Sequence, residues 1–176
     1  MKYEIEKWFK FINYQCTKSE LQSTLNFFSS ERTEIREQFA DLDWNADIHK
    51  QENAIEYLAE NLLPCEYVYL VLADNFSLEK YNDKAKYYEH NTGKELWENA
   101  AKTIVKIGWP KVDNIIIPLF MWLLDNNWPG SELIYEFLLT LPKDILKSKI
   151  EEILENPQLY EPCDFDELKE LTKEML

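Results

Sequence analysis

The chain has 176 residues and a formal net charge of −14, and 45% of its residues are apolar. Its six tryptophans and ten tyrosines exclude a disordered protein, since disordered chains are poor in large apolar side chains, and its length suits one compact domain. The only glycines are Gly93, Gly108 and Gly130, too few for the tight hairpins of a β-rich protein. We therefore expect an all-α fold of helices joined by short connections.

Negative charge is concentrated in two parts of the sequence. Residues 1–92 and residues 151–176 each carry a net charge of −7, whereas residues 93–150 are neutral. This balance disfavours nucleic acid and anionic membranes as partners, because both are bound through Lys and Arg. A basic protein partner or simple solubility explains the charge better.

The first residues, MKYEIEKWFKF, mix charged and apolar side chains, which is typical of neither a signal peptide nor a membrane span. Cys16, Cys65 and Cys163 are odd in number and widely spaced, so neither a disulfide framework nor a zinc site is expected. Both features favour a cytoplasmic protein with reduced thiols.

Apolar residues at spacings of three and four predict an N-terminal helical module over residues 1–92. Three short helices come first, and a longer helix follows from Asp47 to Leu63, ending near Pro64. The segment 66–76, EYVYLVLADNF, has strand-like Val and Tyr content, but its helical flanks favour a buried helix. A charged helix over 77–92 reaches Gly93, the expected module boundary. The residues predicted to face inward are Ile5, Trp8, Phe9, Ile12, Leu21, Leu25, Phe28, Ile35, Phe39, Ile48, Ile55, Leu58, Leu62 and Leu63.

Residues 93–176 have the most regular pattern, and we expect a HEAT-like repeat module packed with the first module as one domain. A helix over 96–107 should end at Gly108 in a left-handed conformation, and Trp109-Pro110 then opens the next element with proline in its first turn. A second Trp-Pro pair, Trp128-Pro129, occurs nineteen residues later, after Asn127. Two W-P turns between helices predict stacked antiparallel helix pairs, as in a short solenoid.

The segment between the two W-P turns, residues 115–124, is apolar nearly all round and should form a helix at the centre of the core. Pro118 should kink this helix or separate a short first turn from the main part. Three more helices are predicted over 133–141, 142–154 and 166–176. The last one is acidic outside and presents Leu168, Leu171 and Met175 inside.

The stretch IPLFMWLLDNNWPGSELIYEFLL, at residues 117–139, resembles the signature of a family of small bacterial helical domains of unknown function. In that family an apolar helix ending W-L-x-D-x-N-W-P turns into a second helix. The resemblance extends over residues 95–155 and implies a HEAT-like fold, not an activity. The matching positions are Trp122, Leu123, Asp125, Asn127, Trp128 and Pro129.

Two roles fit this motif. In a structural role, Asp125 and Asn127 satisfy backbone groups at the helix junction, while Trp122 and Trp128 bury large areas. In a recognition role, a partly exposed Trp128 flanked by Asp125 and Asn127 is an anchor for a partner protein.

The sequence shows no pattern typical of catalysis or metal binding. His49 and His90 lie 41 residues apart without ligand spacing, and no phosphate-binding or nucleophile motif occurs. The acidic segments 41–43 and 164–167 lack the companions of a calcium loop or nuclease, and they fit a helix end and a helix start instead. We therefore expect neither an enzyme nor a cofactor or metal site.

A non-enzymatic protein-binding module is the function these features favour. Its specific form would be an immunity-type antitoxin that sequesters a basic bacterial toxin; the alternative is a structural or regulatory scaffold that binds a peptide or partner protein. Charge complementarity with a basic partner makes association fast and salt-dependent. The residues expected to contact the partner are Trp109, Asp125, Asn127, Trp128, Glu161, Asp164, Asp166, Glu167 and Glu170.

Overall fold

A computed structural model describes residues 32–72, 94–124, 128–157 and 162–176. Within these ranges all regular structure is helical, which confirms the all-α prediction. Three short 3-10 helices, Pro64–Glu66, Asp113–Ile115 and Phe120–Leu123, accompany the α-helices. The α-helices are α1 (Thr33–Ala40), α2 (Ile48–Asn61), α3 (Val68–Leu72), α4 (Lys94–Ile107), α5 (Ile116–Leu119), α6 (Ser131–Leu139), α7 (Lys143–Glu155) and α8 (Pro162–Met175). The helices predicted before residue 32 and over 77–92 lie outside the described residues.

Helix α4 is the central helix of the described fold. It packs against α2, α3 and α6, and α2 also packs against α1. Leu96, Ala100 and Ile104 recur every four residues on α4 and are fully buried or nearly so. The core is one cluster to which all eight helices contribute. The stacking of helix pairs into a solenoid stays a prediction.

Helix α2 begins and ends close to the predicted positions. The Asp47 side chain accepts the His49 backbone N–H at 3.0 Å, and the chain becomes extended at Leu62 before Pro64. The prediction that Ile48 and Leu63 face inward is wrong, since they are 58% and 49% exposed. Ile48 lies beside the face that Gln51, Ala54 and Leu58 bury, and Leu63 follows the last helical turn. The buried residues are Gln51, Ala54, Leu58 and Leu62.

The ambiguous segment EYVYLVLADNF contains a buried helix, as predicted, over Val68–Leu72. Its residues 73–76 lie outside the described residues. The indole Nε1 of Trp122 donates to the Val71 carbonyl oxygen at 3.0 Å, so a side chain satisfies an acceptor at the end of this short helix. Just before it, the Glu66 carboxylate, only 1% exposed, accepts two hydrogen bonds from Arg32 and one from the Leu63 N–H.

Residues 115–124 lie in the core, as predicted, but the main α-helix expected after a kink or a short first turn at Pro118 does not form. The segment is divided into a 3-10 turn, helix α5 and a second 3-10 turn. Pro118 has no N–H to donate to the Asn114 carbonyl, so a regular α-helix cannot begin at Asp113 or Asn114. It lies instead in the first turn of α5, where its missing N–H leaves no helical hydrogen bond unmade.

The two W-P turns differ in geometry. Gly108 has a φ of +71° and ends α4 as predicted, but the next helical element starts only at Asp113, so the placement of Pro110 in a first helical turn is wrong. The Trp109-Pro110 peptide bond is cis. Around Pro129, the Ser131 N–H donates to the Trp128 carbonyl at 3.0 Å and Gly130 has a φ of +85° and a ψ of −5°, as in a type II turn.

The last two helices, α7 and α8, correspond to two of the predicted helices. Helix α7 starts after Pro142 and ends at Asn156, as predicted. Helix α8 begins at Pro162 rather than at the predicted Asp166, and a proline is compatible with the first turn of a helix. Its inner face is confirmed: Leu168 and Met175 are buried and Leu171 is half-buried.

Candidate interaction site

Trp128, the predicted anchor, is half-buried and stacks on helix α4. Its ring centroid lies 4.4 Å from that of Trp97, with 30° between the planes, and the Trp97 ring lies 6.3 Å from that of the buried Trp122. The Trp97 indole therefore contacts both the buried Trp122 and the half-buried Trp128. Aromatic stacking of this kind stabilises a folded protein, whether or not a partner protein also contacts Trp128.

The turn that carries Trp128 approaches α4 very closely. A Cβ atom placed on Gly130 would lie 2.7 Å from the Ala101 Cβ and 3.1 Å from the Trp97 carbonyl oxygen. Only glycine fits this position, because φ is positive and there is no space for a side chain. The neighbouring predicted contact residues Asp125 and Asn127 lie outside the described residues.

Trp109, in the first W-P turn, is half-buried and packs against the core cluster. No ring contact joins it to Trp128 among the described aromatic pairs.

Helix α8 carries the predicted acidic contact residues. Asp166, Glu167 and Glu170 are exposed, Asp164 is half-buried, and Glu161 lies outside the described residues. The Lys173 Nζ lies 2.6 Å from the Glu170 Oε1, and this hydrogen bond and charge lower the pKa of the Glu170 carboxyl. Part of the helix's negative charge is thus compensated within the helix itself.

A further exposed feature lies at residues 41–48, which connect α1 to α2 and include the first residue of α2; we call this segment the 41–48 loop. Trp44 is 45% exposed and Ile48 is 58% exposed. Three carboxylates, those of Asp41, Asp43 and Asp47, belong to the same eight residues, and the loop contains no Lys or Arg.

Two buried amide side chains hold the loop backbone from inside the fold. The Asn99 Nδ2 donates to the Leu42 carbonyl at 2.8 Å, and the Gln51 Nε2 donates to the carbonyls of Trp44 at 3.1 Å and Ala46 at 2.8 Å. The two amides are also joined, since the Asn99 Nδ2 donates to the Gln51 Oε1 at 2.7 Å. Alternate carbonyls of the loop are therefore fixed by side chains that are 2% and 8% exposed.

The loop is also held by its own side chains and by α4. The Trp44 N–H donates to the Glu95 carbonyl oxygen at 3.0 Å. The Asp43 Oδ1 accepts from both the backbone N–H and the Nδ2 of Asn45, at 2.8 and 2.9 Å. With Asp47 capping α2, each of residues 42–47 takes part in a hydrogen bond.

The sequence patterns led us to interpret Asp41 and Asp43 as a helix end and Asp47 as the start of the next helix, and the 41–48 loop was missed as a surface feature. The alternation of Asp43, Asn45 and Asp47 is typical of Asx turns and could have indicated an ordered loop. The anchoring of the loop backbone by Asn99 could not be predicted, since Asn99 lies 57 positions from its partner Leu42.

Among the described residues, no group of three or more His, Cys, Asp or Glu side chains is arranged to hold a metal ion. In the same part of the chain, the length and apolar character of every helix fall short of what a membrane crossing needs.

Comparison with known protein families, curated proteins and solved structures finds no match to this chain. The resemblance of residues 117–139 to a family of small bacterial helical domains therefore stays a prediction.

Proposed function

We propose that this chain is a non-enzymatic protein-binding module whose partner is a basic protein. The observation that carries the proposal is the net charge of −14 together with the exposure of the acidic side chains of α8: Asp166, Glu167, Glu170 and Glu174. Exposed carboxylates attract a cationic partner over a distance of about 10 Å in moderate salt and repel nucleic acid and anionic membranes.

The specific form we propose is an immunity-type antitoxin that sequesters a basic bacterial toxin in the cytoplasm. Its support is the charge, the small size, the lack of catalytic patterns in the sequence and three cysteines without disulfide spacing. An inhibitor of this kind needs only a stable surface of complementary charge and shape.

The test is co-expression of the full chain with each protein encoded beside its gene. We expect one of these proteins to be basic and toxic when it is expressed alone. It should be harmless when co-expressed with this chain and should remain bound to it after purification. The binding constant should fall steeply as the salt concentration rises, because charge attraction is screened.

Binding that is insensitive to salt would contradict the charge-based proposal. It would favour the rival function, a scaffold that binds a peptide or partner protein mainly through apolar contacts. The matched variants are Asp166→Asn with Glu167→Gln, which remove two exposed charges while preserving side-chain shape. They should slow association and leave the unfolding temperature nearly unchanged.

A further inference from the structure

We infer that the 41–48 loop is the docking site for the basic partner, and that its occupant is a cationic segment carrying an apolar side chain that packs on Trp44 and Ile48. This inference rests on the proposed function and adds to it the place of docking and the chemistry of the docked segment.

The first argument is the exposed apolar surface. Single exposed apolar side chains are normal in folded proteins, but Trp44 and Ile48 lie four positions apart on one short segment and are 45% and 58% exposed. Tryptophan is also among the residues that most often dominate the binding energy of protein interfaces. Trp44 therefore has the exposure and the residue type of a binding anchor.

The second argument is the order of the loop backbone. The Asn99 and Gln51 amides bind the carbonyls of Leu42, Trp44 and Ala46, and the Trp44 N–H binds α4. A loop held in this way loses little conformational entropy when a partner binds. The buried network thus fixes the backbone that carries the indole, while almost half of that side chain stays accessible to another protein.

The third argument is charge. Asp41 and Asp43 precede Trp44, Asp47 lies between Trp44 and Ile48, and Lys50 is the first Lys or Arg after the loop. Like-charged groups of an acidic partner would be repelled here, whereas Lys or Arg side chains would pair with the carboxylates at the edge of the apolar contact. Charge complementarity therefore selects a cationic segment with an apolar anchor over a purely apolar one.

The experiment uses the full chain labelled with ¹⁵N at its tryptophan indoles, which provides six NMR signals, one for each tryptophan. The Trp44→Phe variant identifies the Trp44 signal. The probes are a short peptide of alternating Lys and Leu, a Lys-only peptide of the same length and a peptide of alternating Glu and Leu. We expect the Lys/Leu peptide to shift the Trp44 signal most, the Lys-only peptide to shift it less and the Glu/Leu peptide to leave it unchanged.

Matched variants test the two halves of the inference. Trp44→Ala should weaken binding of the Lys/Leu peptide about tenfold or more, and Ile48→Ser should weaken it severalfold. Leu139→Ala removes an apolar side chain that is also 45% exposed and should leave the affinity unchanged. Asp41→Asn with Asp47→Asn should weaken binding more than Asp166→Asn with Glu167→Gln does, and asparagine keeps the cap of α2.

Four outcomes would overturn the inference. If Lys-containing peptides bind but shift other indoles, or if the α8 pair of variants weakens binding as much as the loop pair, docking lies elsewhere and the proposed function still stands. If the chain self-associates in sedimentation and Trp44→Ala makes it monomeric, a second copy occupies the loop. If no Lys-containing peptide binds and no basic neighbour is found, the proposed function fails as well.

Discussion

The side-chain amide of Asn99 donates a hydrogen bond of 2.8 Å to the Leu42 carbonyl oxygen, joining helix α4 to the start of the 41–48 loop across 57 positions. Both polar atoms of the Asn99 amide have hydrogen-bond partners, since its Nδ2 also donates to Gln51 and its Oδ1 accepts from the Lys102 Nζ at 3.1 Å. A buried amide with all these partners orients the loop, and its removal strands acceptors that water cannot easily reach.

Asn99→Ala should therefore destabilise the fold. The variant leaves the Leu42 carbonyl and the Gln51 Oε1 without this donor. Each buried group left unpaired lowers the free energy of unfolding by about 1–3 kcal/mol. Chemical denaturation measures the loss. Asn61→Ala is the control, because its side chain donates only to the exposed Tyr57 carbonyl, and it should change stability by no more than about 0.5 kcal/mol. Equal effects of the two variants would refute the structural role of Asn99.

Gly130→Ala should cost more stability than Gly108→Ala. Both glycines have a positive φ, so alanine costs about 1–2 kcal/mol at either position. At Gly108 the nearest atom to a new Cβ is 3.5 Å away, whereas at Gly130 the Ala101 Cβ is 2.7 Å away. The clash at Gly130 adds about 1–3 kcal/mol. Thermal unfolding of both variants checks the order, and a larger loss at Gly108 would contradict the close approach of the turn to α4.

The contact of Trp128 with Trp97 predicts a thermodynamic coupling between them. Trp128→Ala should lower the unfolding temperature, while Trp44→Ala, at a more exposed indole, should lower it much less. A double-mutant cycle of Trp97→Ala and Trp128→Ala should yield a coupling of about 0.5–1.5 kcal/mol. Additive effects, with Trp128→Ala folding normally, would favour the recognition role over the structural one.

The pKa of Glu170 should depend on Lys173. The Lys173 hydrogen bond and charge lower this pKa below its ordinary value of about 4.5. The pair therefore stabilises the folded chain above pH 4.5, and the contribution is lost as the pH falls through the lowered pKa. Lys173→Met should raise the pKa, and ¹³C NMR titration of the carboxyl measures it. Lys169→Met should raise it less, because the effect of Lys169 on Glu170 is the smallest of those acting on it.

Sequence patterns predicted much of the fold correctly where the cause is local. The start of α2 near Asp47, the end of α4 at Gly108 and the start of α7 after Pro142 each depend on the dihedral preferences or hydrogen bonds of adjacent residues. Residues 113–124 were predicted less well, since apolar residues on all sides of a segment define no helical face whose period could be followed.

The sequence by itself determined that this chain is helical, acidic and folded, because composition, spacing of apolar residues and turn chemistry act over a few positions. Only the tertiary structure decided that Trp128 stacks on Trp97, that Gly130 must lack a side chain and that the amides of Asn99 and Gln51 hold the backbone around the exposed Trp44. Each of these depends on how α4 packs against segments distant in the sequence, and such contacts leave no period in a single chain.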